Sequence, residues 1–157
     1  MKKIISIVCL LLVLNAQAQT PGERLAKTTM KIWKDSLSSK WSYDLGVVLK
    51  GMEGNWYRTG DATYFNYIQK QMDFFVQNDG TIRTYKQDEF NIDHINNGKL
   101  LLFLYRVTEK EKYWKAAQLL REQLKHHPRT KEGGFWHKKV YPNQMWLDGL
   151  YMGQPFY

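Results

Sequence analysis

Two stretches of the chain share one pattern of apolar residues: TGDATYFNYIQKQMDFF at residues 59–75 and TEKEKYWKAAQLLREQL at residues 108–124. Tyr64 and Tyr113 hold the same place in the two stretches and lie 49 residues apart. In both stretches the apolar residues recur at helical spacing, which predicts an amphipathic helix in each. The sequence therefore contains an internal repeat with a period of about 50 residues.

A second helix is predicted before each of these stretches. A pattern of regularly spaced apolar residues begins at Asp44 and continues to Thr59–Gly60. The same pattern begins again at Asp93 and continues to Thr108–Glu109. A third unit is predicted to begin at Leu147–Asp148–Gly149. One pair of helices cannot bury both of its faces, so successive pairs with this period predict an α-solenoid or a closed ring of helical hairpins.

The remaining segments predict one further helix and two short strands. Residues 22–37 have an amphipathic helical pattern. Asp61 precedes the helix of the first stretch, and Asp is a favoured residue at a helix N-cap. Residues 81–85 and 135–137 each follow a turn that contains glycine, and both are predicted to be short strands.

The first 19 residues have the pattern of a secretory signal peptide. Two lysines precede an apolar run at residues 4–14, and Ala16 and Ala18 form a small-residue cleavage site. The run is too short to span a bilayer. We expect cleavage after residue 18 or 19 and a periplasmic or secreted location. Cys9 is the single cysteine and leaves with this segment, so the mature chain would have no disulfide and no thiolate ligand.

The charge of the chain favours an anionic partner. The formal net charge is +8 at pH 7, and such a balance attracts anions. The lysines are spread along the chain, which together with export argues against nucleic acid. An acidic sugar is the other candidate, and the alternative is that the chain, like many exported proteins, is simply basic. Aromatic side chains make up 15% of the sequence; core packing explains most of them, although aromatic faces also suit sugar rings. We expect no contact with a membrane after signal cleavage, and the oligomeric state stays open.

Each of the three repeat units is predicted to place an aspartate at the start of an inner helix. In a ring of hairpins the starts of the inner helices gather around one mouth, so Asp44, Asp93 and Asp148 could face a common cleft. Helix capping, worth about 1 kcal/mol, is the alternative, and for Asp44 the two interpretations are equally good. Asp93 and Asp148 are candidates for a carboxyl pair in which one group donates a proton and the other tunes it.

The residues near Asp148 suit the recognition of a sugar. Gln144 and Trp146 offer an amide for hydroxyl groups and an indole for ring stacking. His137 and Lys138 lie in the preceding loop, where a cation could meet an anionic sugar group, although Lys138 could equally be a solvated loop lysine. The sequence contains no Gly-rich phosphate loop, metal-ligand spacing or nucleophile elbow.

Three segments together resemble a known family: KWSYDLGVVLKGM at residues 40–52, FNIDHINNGKLLLFLYRVT at residues 90–108 and GGFWHKKVYPNQMWLDGLYMGQPFY at residues 133–157. They are similar to glycoside hydrolase family 105, the unsaturated rhamnogalacturonyl hydrolases. The related family 88 of unsaturated glucuronyl hydrolases is the near alternative. The resemblance runs from about Leu25 to the last residue, and YPNQMWLDGLYM at residues 141–152 is its most specific part.

The resemblance implies an all-α (α/α)6 barrel, closed by six helical hairpins over roughly 300 residues or more. On this interpretation residues 20–157 are the N-terminal part of the catalytic domain, about two and a half hairpins, and we expect this fragment alone to be inactive. The implied substrates are pectin oligosaccharides with a 4,5-unsaturated uronic acid at the non-reducing end. The resemblance implies no metal and no organic cofactor.

The resemblance also assigns roles to single residues. It implies that Asp148 protonates C4 of the double bond and then, as a base, helps water to attack C5. Asp93 would hold the site and share charge with Asp148. Four further residues fall in segments that line the sugar subsite of the family: Tyr43, His137, Lys138 and Trp146. The rival from another class is a non-catalytic α-solenoid that binds acidic glycans or a protein partner.

Overall fold

The structure is a computed structural model that describes residues 19–157. Residues 1–18 of the predicted signal peptide lie outside the described residues. The helices are α1 (Pro21–Ile32), α2 (Tyr43–Thr59), α3 (Ala62–Phe75), α4 (Gly98–Thr108), α5 (Glu111–His126) and α6 (Gly149–Gly153), with 3-10 turns at Gln87–Glu89 and Ile92–Ile95. Within this range no helix has both the length and the apolar character that crossing a membrane requires.

Two helical hairpins form the body of the chain, α2 with α3 and α4 with α5. Their second helices begin 49 residues apart, at Ala62 and Glu111. Gly60 and Glu109 end the first helix of each hairpin in the left-handed backbone conformation, with φ of 68° and 56°. The predicted repeat is confirmed, and the helical architecture is that of a fragment of an (α/α)6 barrel.

The apolar faces predicted from the sequence form one continuous core. Ile68 of α3 and Leu120 of α5 have no exposed surface. The two hairpins are joined by a cluster of aromatic rings. The Phe103 ring of α4 lies 5.3 Å from Trp56 of α2 and 5.8 Å from Phe65 of α3. Aromatic contacts of this kind stabilise an interface beyond the apolar area that they bury.

The start of α2 lies beside the segment that leads into α4. Asn96 Nδ2 donates to the Tyr43 carbonyl at 2.9 Å, and Asn97 Nδ2 donates to the Ser42 carbonyl at 3.0 Å. The backbones approach so closely that a Cβ on Gly46 would overlap the Asn97 side chain. The beginnings of two successive units are therefore adjacent, as a common mouth of the barrel requires.

The first helix is shorter than its predicted range of residues 22–37. It ends at Ile32, and Trp33 leaves helical geometry with φ of −107° and ψ of 53°. The chain after it binds α3 instead of continuing the helix. Tyr67 Oη donates to the Trp33 carbonyl at 2.7 Å, and the Leu37 N–H donates to Gln71 Oε1 at 2.8 Å.

The prediction that a helix begins at Asp93 is wrong. Asp93 lies in the 3-10 turn Ile92–Ile95, and α4 begins only at Gly98. Asn91 caps this turn by accepting a hydrogen bond from the Asp93 N–H at 3.0 Å. The two asparagines that follow the turn bind backbone carbonyls of α2 and its N-cap. Side-chain bonds of this kind compete with helix formation at the residues that make them.

The two predicted strands are wrong as well. Residues 81–85 and 135–137 contribute only isolated bridges, Val76 with Ile82 and Arg129 with Phe135. In each of the two connections, after α3 and after α5, the chain reverses with a single pair of bridged residues. No described residue belongs to a strand.

Of the aspartates near the helix starts, Asp61 caps its helix with a side-chain hydrogen bond and Asp44 does not. Asp61 caps α3 as predicted, because its side chain accepts from the Thr63 N–H at 2.8 Å. The capping interpretation of Asp44 is wrong, since Ser42 holds the N-cap position of α2. The Asp44 carboxylate accepts a hydrogen bond from the Ser42 hydroxyl instead.

Candidate active site

The loop of residues 137–148 packs against the 3-10 turn Ile92–Ile95. The Ile92 N–H donates to the His137 carbonyl at 3.0 Å, and the His137 N–H donates to the Gln144 carbonyl at 2.7 Å. Asn143 adopts the left-handed conformation with φ of 59°, which asparagine tolerates better than most residues. These backbone bonds bring His137 and the residue after it next to Asp93.

Four ionisable side chains meet at this junction. Lys138 Nζ lies 2.9 Å from Asp93 Oδ2, and His137 Nε2 lies 3.5 Å from Asp93 Oδ1. Asp93, His137 and Asp148 each have one side-chain nitrogen or oxygen atom in this cluster, and these three atoms lie within 4.8 Å of one another. The two carboxyl groups that the sequence singled out therefore share one site.

The two carboxyl groups differ in their access to solvent. Asp93 is only 6% exposed, and a carboxylate this deeply buried requires a nearby cation, which Lys138 supplies. Asp148 is exposed. Although Asp148 holds the N-cap position of α6, its side chain makes no capping hydrogen bond. Asp148 is therefore the carboxyl group that can reach a ligand on the open side.

His137 lies beneath aromatic rings. It is 2% exposed, and its ring stacks on Trp146 at 4.0 Å with an interplanar angle of 10°. Burial lowers the pKa of His137 below its usual value, although the charges of Asp93 and Asp148 act in the opposite direction. The imidazole is therefore neutral at pH 7, with one nitrogen as a donor and the other as an acceptor. Its Nδ1 atom is buried and has no hydrogen-bond partner among residues 19–157.

The same cluster could offer three ligands to a metal ion, one each from Asp93, His137 and Asp148. The Lys138 ammonium group already bonds one oxygen of Asp93. A lysine cation beside the ligands opposes the binding of a second cation, so the donor set fits a metal ion poorly. The expectation that the protein needs no cofactor stays a prediction.

Comparison with known proteins identifies the family of the chain. The model of the family described as Glycosyl Hydrolase Family 88 matches residues 20–157. The chain belongs to this family. The resemblance stated from the sequence, to family 105 and the related family 88, is confirmed.

Two relatives are glycoside hydrolases by name. The chain is 27% identical over 140 residues to the unsaturated rhamnogalacturonyl hydrolase YesR of Bacillus subtilis (strain 168), covering 85% of this chain and 37% of YesR. It is 47% identical to the solved structure of a C. acetobutylicum ATCC 824 glycoside hydrolase from family 105. That likeness has a TM-score of 0.82 and covers 88% of this chain and 38% of the other. The chain thus spans less than two fifths of the length of both relatives.

The structure brings together most of the site residues that were predicted from the family resemblance. The side chains of Asp93, His137, Lys138 and Trp146 meet around the exposed Asp148. Tyr43 lies at the neighbouring start of α2, and its side chain is 47% exposed. Only its backbone carbonyl is bonded to the Asp93 segment, through Asn96. The roles of these residues toward a sugar stay predictions.

Three residues that support this cluster were not predicted from the sequence. Asn91 caps the turn that carries Asp93. Tyr141 stacks on Trp146 at 5.2 Å with an interplanar angle of 17°. Lys99 bonds the backbone of α6. All three residues lie in segments that carry the family resemblance, Tyr141 in its most specific motif and Asn91 and Lys99 at residues 90–108, but no local pattern points to these contacts.

Proposed function

We propose that this protein hydrolyses oligosaccharides that carry a 4,5-unsaturated uronic acid at the non-reducing end, with unsaturated galacturonyl-rhamnose as the substrate. The observation that carries the proposal is the exposed Asp148 beside the buried Asp93, which forms an ion pair with the partly exposed Lys138. Membership of family 88 and the name of YesR support the same chemistry.

In the proposed reaction Asp148 acts first as an acid and then as a base. Its carboxyl group donates a proton to C4 of the double bond, and the ring oxygen stabilises the positive charge that develops at C5. The Asp148 carboxylate then takes a proton from water while the water oxygen bonds to C5. The hemiketal opens to a ketone, and the hemiacetal left at C1 releases the remaining saccharide as an alcohol. One water molecule is consumed, and Asp148 ends in its starting form.

The neighbouring groups support this reaction by charge and shape. Asp93 lies within 4.8 Å of an Asp148 oxygen, and through its bond to Lys138 it would hold the site in place. The Lys138 side chain bonds Asp93 and keeps 25% of its surface exposed. We propose that this exposed part meets the carboxylate of the uronic acid. Trp146 and Tyr43, each nearly half exposed, would border the sugar ring.

An unsaturated glucuronyl hydrolase is the second candidate, because the family model that matches the chain is that of family 88. The two candidates share the site and the reaction and differ in the sugar that is bound. In either case we propose a periplasmic or secreted location after removal of the signal peptide.

The test is an assay of the full gene product on two unsaturated disaccharides, one galacturonyl-rhamnose and one glucuronyl. Hydration removes the double bond, so its ultraviolet absorbance should disappear with time. We expect faster loss with the galacturonyl-rhamnose substrate. Faster loss with the glucuronyl substrate would favour the second candidate, and no loss with either would contradict the proposal.

A further inference from the structure

Asp148 lies at the start of a helix that is too short to be stable without contacts to the rest of the chain. α6 has five residues, Gly149–Gly153, and its N-cap side chain makes no capping bond. Helices shorter than about 12 residues are marginal in water without tertiary packing. The position of the Asp148 carboxyl group therefore depends on the surface against which α6 packs, which is the 3-10 turn Ile92–Ile95 and the start of α4.

Two glycines allow a very close approach at this surface. A Cβ on Gly98 would lie 2.5 Å from the Phe156 ring, and a Cβ on Gly153 would lie 2.8 Å from Ile92. These contacts set how near α6 comes to the Asp93 segment. They are apolar, and apolar contacts have no preferred direction. They hold α6 by shape, and a hydrogen bond would add a contact with a defined direction.

Lys99 supplies a directional contact. Its Nζ donates to the Tyr151 carbonyl at 3.1 Å and lies 3.7 Å from the centre of the Tyr151 ring. The Tyr151 N–H in turn donates to the Asp148 carbonyl at 2.9 Å. Two consecutive hydrogen bonds thus connect Lys99 to the backbone of Asp148. Lys99 belongs to the same segment as Asp93, six residues further along.

We propose that Lys99 is a positioning residue, which holds α6 so that the Asp148 carboxyl group stays beside Asp93. This inference rests on the proposed function, because it assigns Lys99 to the reaction described there. Lys99 acts through the backbone of α6 and not by contact with the substrate.

The charges around Lys99 make the contact sensitive to pH. Lys50 and Glu53 of α2, Arg106 of α4 and Tyr151 of α6 surround it. Burial, followed by the Lys50 charge, lowers the pKa of Lys99 to about 8, while Glu53 acts in the opposite direction. Below that pH the ammonium form attracts the Tyr151 ring and carbonyl. Above it the lysine becomes neutral and the attraction weakens.

The kinetic test compares Lys99→Met with Lys99→Arg in the full gene product. Methionine keeps an apolar stem but removes the charge and the donor, so we expect kcat to fall about tenfold with KM changed less than about twofold. Arginine keeps both, so Lys99→Arg should retain most of the activity. The wild-type kcat should decline above pH 8, and this decline should be absent in Lys99→Arg. Lys125→Met, which removes an exposed lysine of α5, is the matched control and should match the wild type.

A second readout uses no substrate. Hydrogen–deuterium exchange at residues 148–154 should be faster in Lys99→Met and unchanged at residues 111–126. Unchanged exchange at residues 148–154 overturns the inference. Faster exchange with an unchanged kcat also overturns it, because Lys99 would then anchor α6 without serving the reaction. If the wild type acts on no unsaturated uronide, the proposed function fails, while faster exchange in Lys99→Met still supports the anchoring of α6.

Discussion

The start of α2 and the turn before α4 hold the same place in two successive units, yet their aspartates have different surroundings. Asp44 is exposed and is bonded to the hydroxyl group of Ser42, two residues away. Asp93 is 6% exposed and contacts Lys138 and His137, which come from a distant loop. The repeat supplies equivalent acids, and the surroundings distinguish them.

The links between hairpins explain this difference. The link after α3 brings Thr84, whose hydroxyl accepts from the Trp41 N–H at 2.8 Å, close to the start of α2. The link after α5 brings His137 and Lys138 to Asp93 instead. The first link contributes a neutral hydroxyl group that bonds the backbone at this position, whereas the second contributes a cation and an imidazole, which can support a charged site. The charged and ionisable groups beside Asp93 are therefore contributed by the segment that follows α5 and not by the repeated helices.

The largest difference between the two aspartates should appear in stability. Asp93→Ala leaves Lys138 without its partner in a mostly buried position, and we expect a loss of about 2 kcal/mol in the free energy of unfolding. The loss is smaller than for a fully buried pair because Lys138 keeps 25% of its side chain exposed. Asp44→Ala should change this free energy by less than about 0.5 kcal/mol. Urea denaturation of the two variants measures both free energies of unfolding. Equal losses would contradict the prediction that the surroundings of Asp93 and Asp44 differ in energy.

A smaller effect concerns the second helices of the two hairpins. Asp61 caps α3, whereas Lys110, at the equivalent position before α5, makes no side-chain cap. Lys110→Asp should supply the missing cap and a favourable charge at the helix N-terminus, with a gain of about 0.5–1 kcal/mol. Lys110→Ala is the control for loss of the lysine charge. A Lys110→Asp variant no more stable than Lys110→Ala in thermal denaturation would show that the two helix starts are not equivalent.

The sequence predicted the hairpins well because their signals are local. Periodic apolar residues and the Asp61 cap define α3, and the same pattern 49 residues later defines α5. The start of α4 was mispredicted because Asn96 and Asn97 make bonds to another unit, which no local pattern reveals. The short strands were mispredicted because turn signals do not show how many residues pair.

The site was predictable only in part. The repeat singled out Asp93 and Asp148, the residue types near Asp148 pointed to His137, Lys138 and Trp146, and the family resemblance added Tyr43. The burial of His137 beneath Trp146 was not predictable, because it depends on how one loop packs on a distant turn. For the same reason the contact of Lys99 with α6 became visible only in three dimensions.

The most direct test of the central claim is the rate of double-bond loss in Asp148→Asn of the full gene product. Because general acid–base catalysis contributes about 10²–10⁴ to a rate, we expect turnover to fall by at least about a hundredfold. The melting temperature should stay near that of the wild type, since the exposed Asp148 side chain makes no capping bond. Asp44→Asn, the equivalent change in the first unit, should keep wild-type turnover. A folded Asp148→Asn variant that turns over at the wild-type rate would contradict the account.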